Sequence, residues 1–223
     1  FAEGGCAPII IIPGFLGTKL MVQIDCQTLQ AKHPDIMEAC GWTTCSPWDV
    51  FGTRPDSEYM LNYPKSSTPV AQSGTKDQTC FERLIGFEYD KTEEIVQKRF
   101  KEVEGLTVTW YGNTPLTYQE ANGGFNAIAS MTPGLFPSFP GYFKLGEYLT
   151  SLGYQKGLTL FAMPYDYRLN HLANSISYSL ERTIRYAHGL TGKKVVIVAH
   201  SLGNSNALGA MLKMDQSEKD DMI

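Results

Sequence analysis

The sequence AHSLG at residues 199–203 has the residue types of a serine nucleophile held in a tight turn. It follows VVIV, an apolar run typical of a buried strand, and precedes NALGAMLKM, which is typical of a helix. Bulky side chains two positions either side of such a turn would collide, and Ala199 and Gly203 avoid that collision. The pattern predicts a nucleophile elbow with Ser201 exposed above a sheet. The alternative is an ordinary strand-to-helix turn.

Backbone donors for an oxyanion are predicted at two places. Ser201 would lie at the N-terminus of a helix, where the dipole favours negative charge and the N–H of Leu202 can hold an oxyanion. The run IIIIPGFLG places a Pro-Gly turn directly after another buried-strand pattern, so the N–H of Phe15 is the natural second donor. His200 is not predicted to be the base, because its side chain leaves the turn in a different direction from that of Ser201.

The elements that must position these residues alternate between strand and helix. Strand patterns are found at residues 8–12, 106–111, 157–164 and 195–199. Apolar side chains at four-residue spacing predict a helix from Asn170 to His188, with Gly189 as its stop. Further helices are predicted at residues 93–105, 142–153 and 206–214. The alternation predicts the α/β class, with a mainly parallel sheet and helices on both faces.

The bulk composition excludes several classes of function. The formal net charge is -4, and no run of basic residues is present to bind the phosphates of a nucleic acid, so a nucleic-acid partner is not expected. No apolar run approaches the roughly 20 residues that span a bilayer. Neither a metal nor a cofactor is predicted, because the cysteines lack CxxC spacing and no histidine cluster accompanies them.

The cysteines indicate how part of the chain is held. All five lie in the first 80 residues: Cys6, Cys26, Cys40, Cys45 and Cys80. They favour disulfides formed in an oxidising compartment, and an odd count leaves one thiol free or paired to a different chain. Residues 32–80 are predicted to be a cysteine-bearing, loop-rich excursion, and residues 113–141, dense in proline and glycine, are predicted as loop.

Four segments carry a resemblance to a known family. They are IIIIPGFLGTKL at the first strand, PYDYRL at 164–169, AHSLGN at 199–204 and the ending KDDMI. With these segments the chain resembles the lecithin:cholesterol acyltransferase and lysosomal phospholipase A2 family, over the first strand and most of the region from about Tyr142 onward. PYDYRL and AHSLGN occurring in this order are fairly specific to the family, whereas either motif alone would not be.

The resemblance implies an α/β-hydrolase fold and an enzyme that cleaves an ester-linked acyl chain from a phospholipid. Ser201 would hold the acyl group, the N–H groups of Phe15 and Leu202 would form the oxyanion hole, and the acyl group would pass to water or to an alcohol. Phe15 stands where the lysosomal members carry an acidic residue, so their acidic pH optimum is not expected to carry over.

The family also has a disulfide-closed, membrane-contacting segment soon after the first strand. By the resemblance, Cys80 would be its far end and either Cys40 or Cys45 its near end. Trp48 and Phe51 would be its lipid contacts, with an ordinary buried tryptophan as the alternative at position 48. A phospholipid membrane or lipid-particle surface is therefore an expected partner.

In the segment PYDYRL, Asp166 and Arg168 are interpreted as a structural pair that fixes the loop. The catalytic acid of this fold follows the nucleophile in the chain, whereas Asp166 precedes Ser201. We therefore assign the pair no part in the chemistry.

The remaining catalytic groups are expected outside this sequence, because the order in the fold is serine, acid, histidine. No histidine follows Ser201, and His33, His171 and His188 lie upstream in segments that do not suggest a base. We hypothesise that residues 1–223 are the N-terminal part of an α/β-hydrolase domain, incomplete in this chain. A C-terminal fragment of the same precursor would carry the catalytic Asp and His, and its absence would leave an apolar sheet edge uncovered.

Two other functions remain open at this stage. A non-catalytic lipid-binding or scaffold subunit would keep the fold without the chemistry, and a peptidase or small-ester hydrolase shares the elbow. The expected location is outside the cell or within a secretory or lysosome-like compartment, because disulfides persist there.

Overall fold

The structure is a computed structural model. It describes residues 5–15, 17–18, 20–41, 59–60, 80, 82–84, 86–89, 91–92, 100–110, 124–129, 142–169 and 174–223. The chain divides into two compact units, the first formed by Phe1–Lys19 with Trp110–Ile223 and the second by Leu20–Thr109.

Strands and helices follow one another in the first unit, as the sequence predicted. The described strands are β1 (Ile9–Ile12), β2 (Leu20–Ile24), β3 (Tyr59–Met60), β4 (Phe87–Tyr89), β5 (Phe100–Glu102), β6 (Leu106–Trp110), β7 (Leu160–Ala162) and β8 (Val196–Ala199). The described helices are α1 (Cys26–Lys32), α2 (Pro34–Ala39), α3 (Asn126–Ala129), α4 (Phe143–Ser151), α5 (Asn174–Thr191), α6 (Leu202–Met211) and α7 (Gln216–Met222).

The first unit is built on a parallel sheet with the strand order β7, β1, β8. Ile10 in the central strand lies opposite Phe161 on one side and Ile197 on the other. The central position buries Ile10, Ile11 and Ile12 completely, which is why the sequence shows an uninterrupted apolar run there. Because the strands are parallel, their carboxyl ends meet at one edge of the sheet. The predicted parallel sheet is confirmed.

Helices cover both faces of this sheet. Ile9 and Ile11 point to one face, where they pack with Phe125 and Ile128 at α3. Phe161 points to the opposite face and contacts Tyr186 of α5, with ring centroids 6.0 Å apart. Successive strand residues alternate between faces, so each strand contributes to both layers.

One part of the sheet has an exposed apolar face. Val196 and Val198 of β8 lie opposite Ile9 and Ile11 and therefore share their face. The two valines are 46% and 41% exposed, whereas Ile11 is fully buried.

The second unit contains a sheet of order β3, β2, β6 and a separate antiparallel pair, β4 with β5. Asp25 begins α1 as its N-cap, because its carboxylate accepts hydrogen bonds from the N–H of Thr28 at 3.1 Å and the Thr28 hydroxyl at 2.7 Å. A disulfide joins Cys40, directly after α2, to Cys80. The predicted presence of disulfides in this part of the chain is confirmed.

Two sequence predictions of helix boundaries are wrong. Phe100–Glu102 belongs to the predicted helix 93–105 but forms β5, because pairing with Phe87–Tyr89 overrides a weak local helical preference; residues 93–99 lie outside the described residues. The helix predicted to stop at Gly189 continues to Thr191, and the left-handed residue that ends it is Gly192, with φ 62°.

Three helices lie where the sequence analysis predicted none. Pro34–Ala39 forms α2, with Pro34 in its first turn. Proline is tolerated there, because a backbone N–H at that position would have no acceptor within the helix. Asn126–Ala129 forms α3 within the predicted loop 113–141. The acidic end of the chain forms α7, because Asp215 and Glu218 make a capping box.

Candidate active site

Ser201 occupies the turn between β8 and α6 in a backbone conformation that non-glycine residues rarely adopt. Its φ is 52° and its ψ is -123°, and among the described residues it alone of the non-glycine residues has a positive φ. Such backbone strain costs of the order of 1–3 kcal/mol and persists only where the surroundings enforce it. The Ser201 side chain is exposed. These features are those of the predicted elbow.

Two glycines allow the turn to lie against the end of β1. A Cβ added at Gly203 would lie 2.6 Å from the carbonyl oxygen of Pro13 and 2.7 Å from that of Ile12. A Cβ added at Gly14 would lie 2.9 Å from the Cβ of Ser201. Any other residue at these positions would push the two loops apart. The sequence thus brings the Pro-Gly turn directly beside the serine.

Within the described part of the chain, the N–H groups of the two predicted oxyanion donors have no hydrogen-bond acceptor. No described residue accepts a hydrogen bond from the N–H of Phe15 or from that of Leu202. Leu202 is the first residue of α6, where an N–H has no partner within the helix. The N–H of Gly17 donates to the carbonyl of Gly14 at 3.0 Å, which closes a turn containing Phe15.

The segment after β7 packs against this Pro-Gly turn. The hydroxyl of Tyr165 donates to the carbonyl of Pro13 at 2.9 Å, and the N–H of Tyr165 donates to the hydroxyl of Thr18 at 3.2 Å. The ring of Tyr167 contacts that of Phe15 edge-on, with centroids 5.1 Å apart. The sequence predicted none of these contacts.

Asp166 and Arg168 form the predicted structural pair. The Arg168 NH2 nitrogen lies 2.6 Å from Asp166 Oδ2, and the side chains are 5% and 9% exposed for Arg168 and Asp166 respectively. The backbone N–H and Nε of Arg168 also donate to Asp166 Oδ1, at 3.0 and 2.9 Å. The predicted pairing of Asp166 with Arg168 is confirmed, and its lack of a part in the chemistry stays a prediction.

The tyrosines around the turn remain uncharged phenols over the ordinary pH range. Burial raises the pKa of Tyr165 far above its usual value of 10.0, and the neighbouring Tyr142 raises it further. Burial likewise raises the pKa of Tyr142, although the hydrogen bond from the N–H of Gly14 acts in the opposite direction. Burial also raises the pKa of Tyr167. These hydroxyls therefore keep their protons.

The described histidines have contacts of their own. His188 Nδ1 lies 3.0 Å from the carbonyl oxygen of Lys193, and its Nε2 lies 3.6 Å from Asp221. His33 Nε2 lies 3.5 Å from Glu88. The ring of His200 meets that of Tyr142 edge-on, with centroids 6.4 Å apart. His171 lies outside the described residues.

The predicted lipid contacts fall outside the part of the chain that the structure describes. This applies to Trp48, to Phe51 and to Cys45, the second candidate partner of Cys80. Within the described residues, Cys80 is bonded to Cys40, one of the two pairings that the resemblance implied. Cys6 carries a free thiol, which is one of the two outcomes expected for the odd cysteine.

Two further observations concern ligands and membranes. Within the described residues, no group of three or more His, Cys, Asp or Glu side chains is arranged to hold a metal ion. None of the helices in the described part of the chain is both long and apolar enough to cross a membrane.

Comparison with known proteins relates the chain to lipid acyltransferases. The family model described as lecithin:cholesterol acyltransferase matches residues 96–223. The phosphatidylcholine-sterol acyltransferase of Homo sapiens is 30% identical over 133 residues, which are 51% of this chain and 29% of that protein. The lysosomal phospholipase A and acyltransferase of Bos taurus is 25% identical over 224 residues, 100% of this chain and 46% of that protein. The chain thus spans less than half the length of these curated relatives.

Proposed function

Because the chain belongs to the lecithin:cholesterol acyltransferase family, we propose that it is the N-terminal part of an α/β-hydrolase enzyme that cleaves or transfers a phospholipid acyl chain with Ser201 as its nucleophile. The observation that carries the proposal is the backbone of Ser201, exposed and strained at the end of a parallel strand and beside Gly14. Such strain is retained where it has a function.

The chemistry follows from this arrangement. Ser201 Oγ attacks the carbonyl carbon of a phospholipid ester, and the proton of its hydroxyl passes to a base. The carbonyl oxygen becomes an oxyanion, which the N–H groups of Phe15 and Leu202 stabilise. The lysophospholipid alcohol then leaves, and the acyl group on Ser201 is passed to water or to an alcohol such as a sterol.

The base and its acid partner are proposed to come from a C-terminal fragment of the same precursor. The contacts of His188 and His33 are with other groups, and the side chain of His200 belongs to the turn itself. The exposed valines of β8 offer that fragment an apolar face to cover. A mass spectrum of the native sample that contained only a species of 24.8 kDa would contradict this arrangement.

We propose that the enzyme works at a phospholipid membrane or lipid-particle surface, with Trp48 and Phe51 as lipid contacts, outside the cell or in a lysosome-like compartment. The disulfide between Cys40 and Cys80 is consistent with either location. The name of one relative, a lysosomal phospholipase A and acyltransferase, supports the second location.

The experiment that tests the proposal uses a fluorophosphonate probe, which reacts only with an activated serine. The native protein is expected to be labelled at Ser201, and the S201A variant, folded as judged by circular dichroism, is expected to lose the label and its activity on phospholipid vesicles. Adding a sterol to the vesicles distinguishes transfer from hydrolysis. Absence of labelling in the native protein would instead favour a non-catalytic lipid-binding subunit, and equal activity on monomeric esters would favour a small-ester hydrolase.

A further inference from the structure

The peptide between Pro13 and Gly14 is held by a tyrosine hydroxyl at each of its polar groups. The hydroxyl of Tyr165 donates to the carbonyl oxygen of Pro13 at 2.9 Å. The hydroxyl oxygen of Tyr142 accepts a hydrogen bond from the N–H of Gly14 at 3.3 Å. No cis peptide bond occurs among the described residues, so this carbonyl and this N–H point in opposite directions and the two hydroxyls approach from opposite sides.

The next peptide, between Gly14 and Phe15, is also fixed. Its carbonyl oxygen accepts a hydrogen bond from the N–H of Gly17 at 3.0 Å. The N–H of Phe15 belongs to the same rigid plane and must point the opposite way. Three hydrogen bonds therefore determine the orientation of two successive peptides, and the second of them carries the proposed oxyanion donor.

Glycine makes this orientation vulnerable. Gly14 cannot carry a side chain, because a Cβ would lie 2.9 Å from the Cβ of Ser201 and 2.9 Å from Nδ1 of His200. Glycine has no side chain to restrict rotation about its backbone bonds, so the peptides on both sides of it can turn more easily than those beside other residues. The close approach to Ser201 thus requires glycine at position 14, although this flexible residue directly precedes the N–H of Phe15, whose direction matters for the proposed oxyanion hole.

The two tyrosines come from different elements and are anchored independently. Tyr165 follows β7 and is 1% exposed; its own N–H donates to the hydroxyl of the buried Thr18. It thereby holds both ends of the loop from Pro13 to Thr18. Tyr142 precedes α4 and donates its N–H to the carbonyl of Ile128 at 3.3 Å. Burial keeps both phenols protonated, so the donor to Pro13 persists at alkaline pH.

We propose that Tyr142 and Tyr165 are positioning residues, which clamp the Pro13–Gly14 peptide and so aim the N–H of Phe15 at the oxyanion. The proposal rests on the proposed function of Ser201. It assigns these tyrosines no contact with substrate and no proton transfer.

The test replaces each tyrosine by phenylalanine in the complete native protein, which removes the hydroxyl and keeps the ring. Kinetics are measured on a soluble p-nitrophenyl ester. We expect kcat to fall about tenfold to a hundredfold in Y165F and in Y142F, with KM changed less than twofold, because a misdirected donor weakens only the transition state. The matched control is Y154F, which removes the hydroxyl of a partly buried tyrosine packed against the same sheet.

A second substrate separates positioning from a general loss of structure. In the thionoester analogue, sulfur replaces the carbonyl oxygen. Sulfur is a weak hydrogen-bond acceptor, so the direction of the Phe15 N–H should have little effect on the rate. Y165F and Y142F are expected to react with the thionoester within about twofold of the native rate. A merely structural role would slow both substrates alike.

The outcomes distinguish this proposal from the proposed function. If the native protein neither labels at Ser201 nor cleaves the ester, the proposed function itself is wrong. If the native protein is active and both variants keep the kcat of Y154F, the clamp is overturned while the function stands. An equal loss on ester and thionoester would also overturn the clamp.

Discussion

Gly203 is required for a different reason from the one that makes Ser201 unusual. Ser201 has a strained backbone, whereas Gly203 lies within the regular helix α6 and has no positive φ. What excludes a side chain at Gly203 is the backbone at the end of β1: the carbonyl oxygens of Pro13 and Ile12 lie 2.6 and 2.7 Å from the position of its absent Cβ. At the residue scale, the elbow therefore depends on close approach at one position and on conformation at another.

A pair of glycine substitutions tests this distinction. G203A is expected to lower the free energy of unfolding by about 1–3 kcal/mol, because the new methyl group would meet backbone atoms that cannot move aside. G189A is the matched control, since Gly189 also lies in a helix but nothing lies within 4 Å of its Cβ position. It is expected to raise the free energy of unfolding by roughly 0.5–1 kcal/mol. Urea denaturation measures both, and equal shifts would contradict the assignment.

At the element scale, α7 is attached to α5 by charged groups. Arg185 of α5 forms ion pairs with Glu218 of α7 and with Glu181 one turn earlier, the latter at 2.5 Å. The hydrogen bonds from Arg185 lower the pKa of Glu218 below its ordinary value of 4.5. The end of α7 also contacts the residue before β8, since the N–H of Val195 donates to the carbonyl of Met222 at 2.6 Å.

This attachment should depend on pH. The folded state lowers the pKa of Glu218, so its contribution to stability is present above about pH 4.5 and is lost as the pH falls through the lowered pKa. The native protein is therefore expected to be more stable than E218Q at pH 7 and to differ less from it at pH 3. Urea denaturation at the two pH values measures the difference. E147Q, which removes a carboxylate from an exposed position of α4, is the matched control for the loss of one charge.

The disulfide between Cys40 and Cys80 should stabilise the second unit by restricting its unfolded chain. The two residues are 40 positions apart, and closing a loop of that length contributes up to roughly 4 kcal/mol. C40A/C80A is expected to lower the free energy of unfolding of this unit accordingly. Tryptophan fluorescence during guanidinium denaturation reports on it, because Trp42 and Trp48 belong to this part of the sequence. C6A, which removes a free thiol, should leave the midpoint unchanged.

The elements that could be predicted are those with a long apolar period. The isoleucines of β1 and the pair Leu180 and Ile184 of α5 indicate their elements directly, because burial requires that pattern. The strand at Phe100–Glu102 could not be predicted, because its three residues depend on a partner strand more than on their own preferences. The short helices at Pro34–Ala39 and Asn126–Ala129 have too few turns to display a period.

At the scale of the whole molecule, the sequence predicted which residue is strained but not what holds its surroundings. Ser201 could be found because its turn demands small neighbours at fixed spacing. Tyr142 and Tyr165 could not, because their partners are 128 and 152 residues away in sequence and nothing local signals a bond to Pro13 or Gly14. The one signal in the sequence is that Tyr165 lies in the segment PYDYRL, next to the charged pair that we interpret as structural.

The parallel sheet that joins β1 to its two neighbours has a consequence for how the chain reaches its native state. Ile9 pairs with Leu160 and Val196, so the central strand must close very long loops of chain before it gains either partner. The entropy of closing such loops is lost before the contacts compensate for it, and proteins with distant contacts fold slowly. The serine turn, its donor loop and both tyrosines depend on those contacts. We therefore expect the turn at Ser201 to reach its native geometry late in folding.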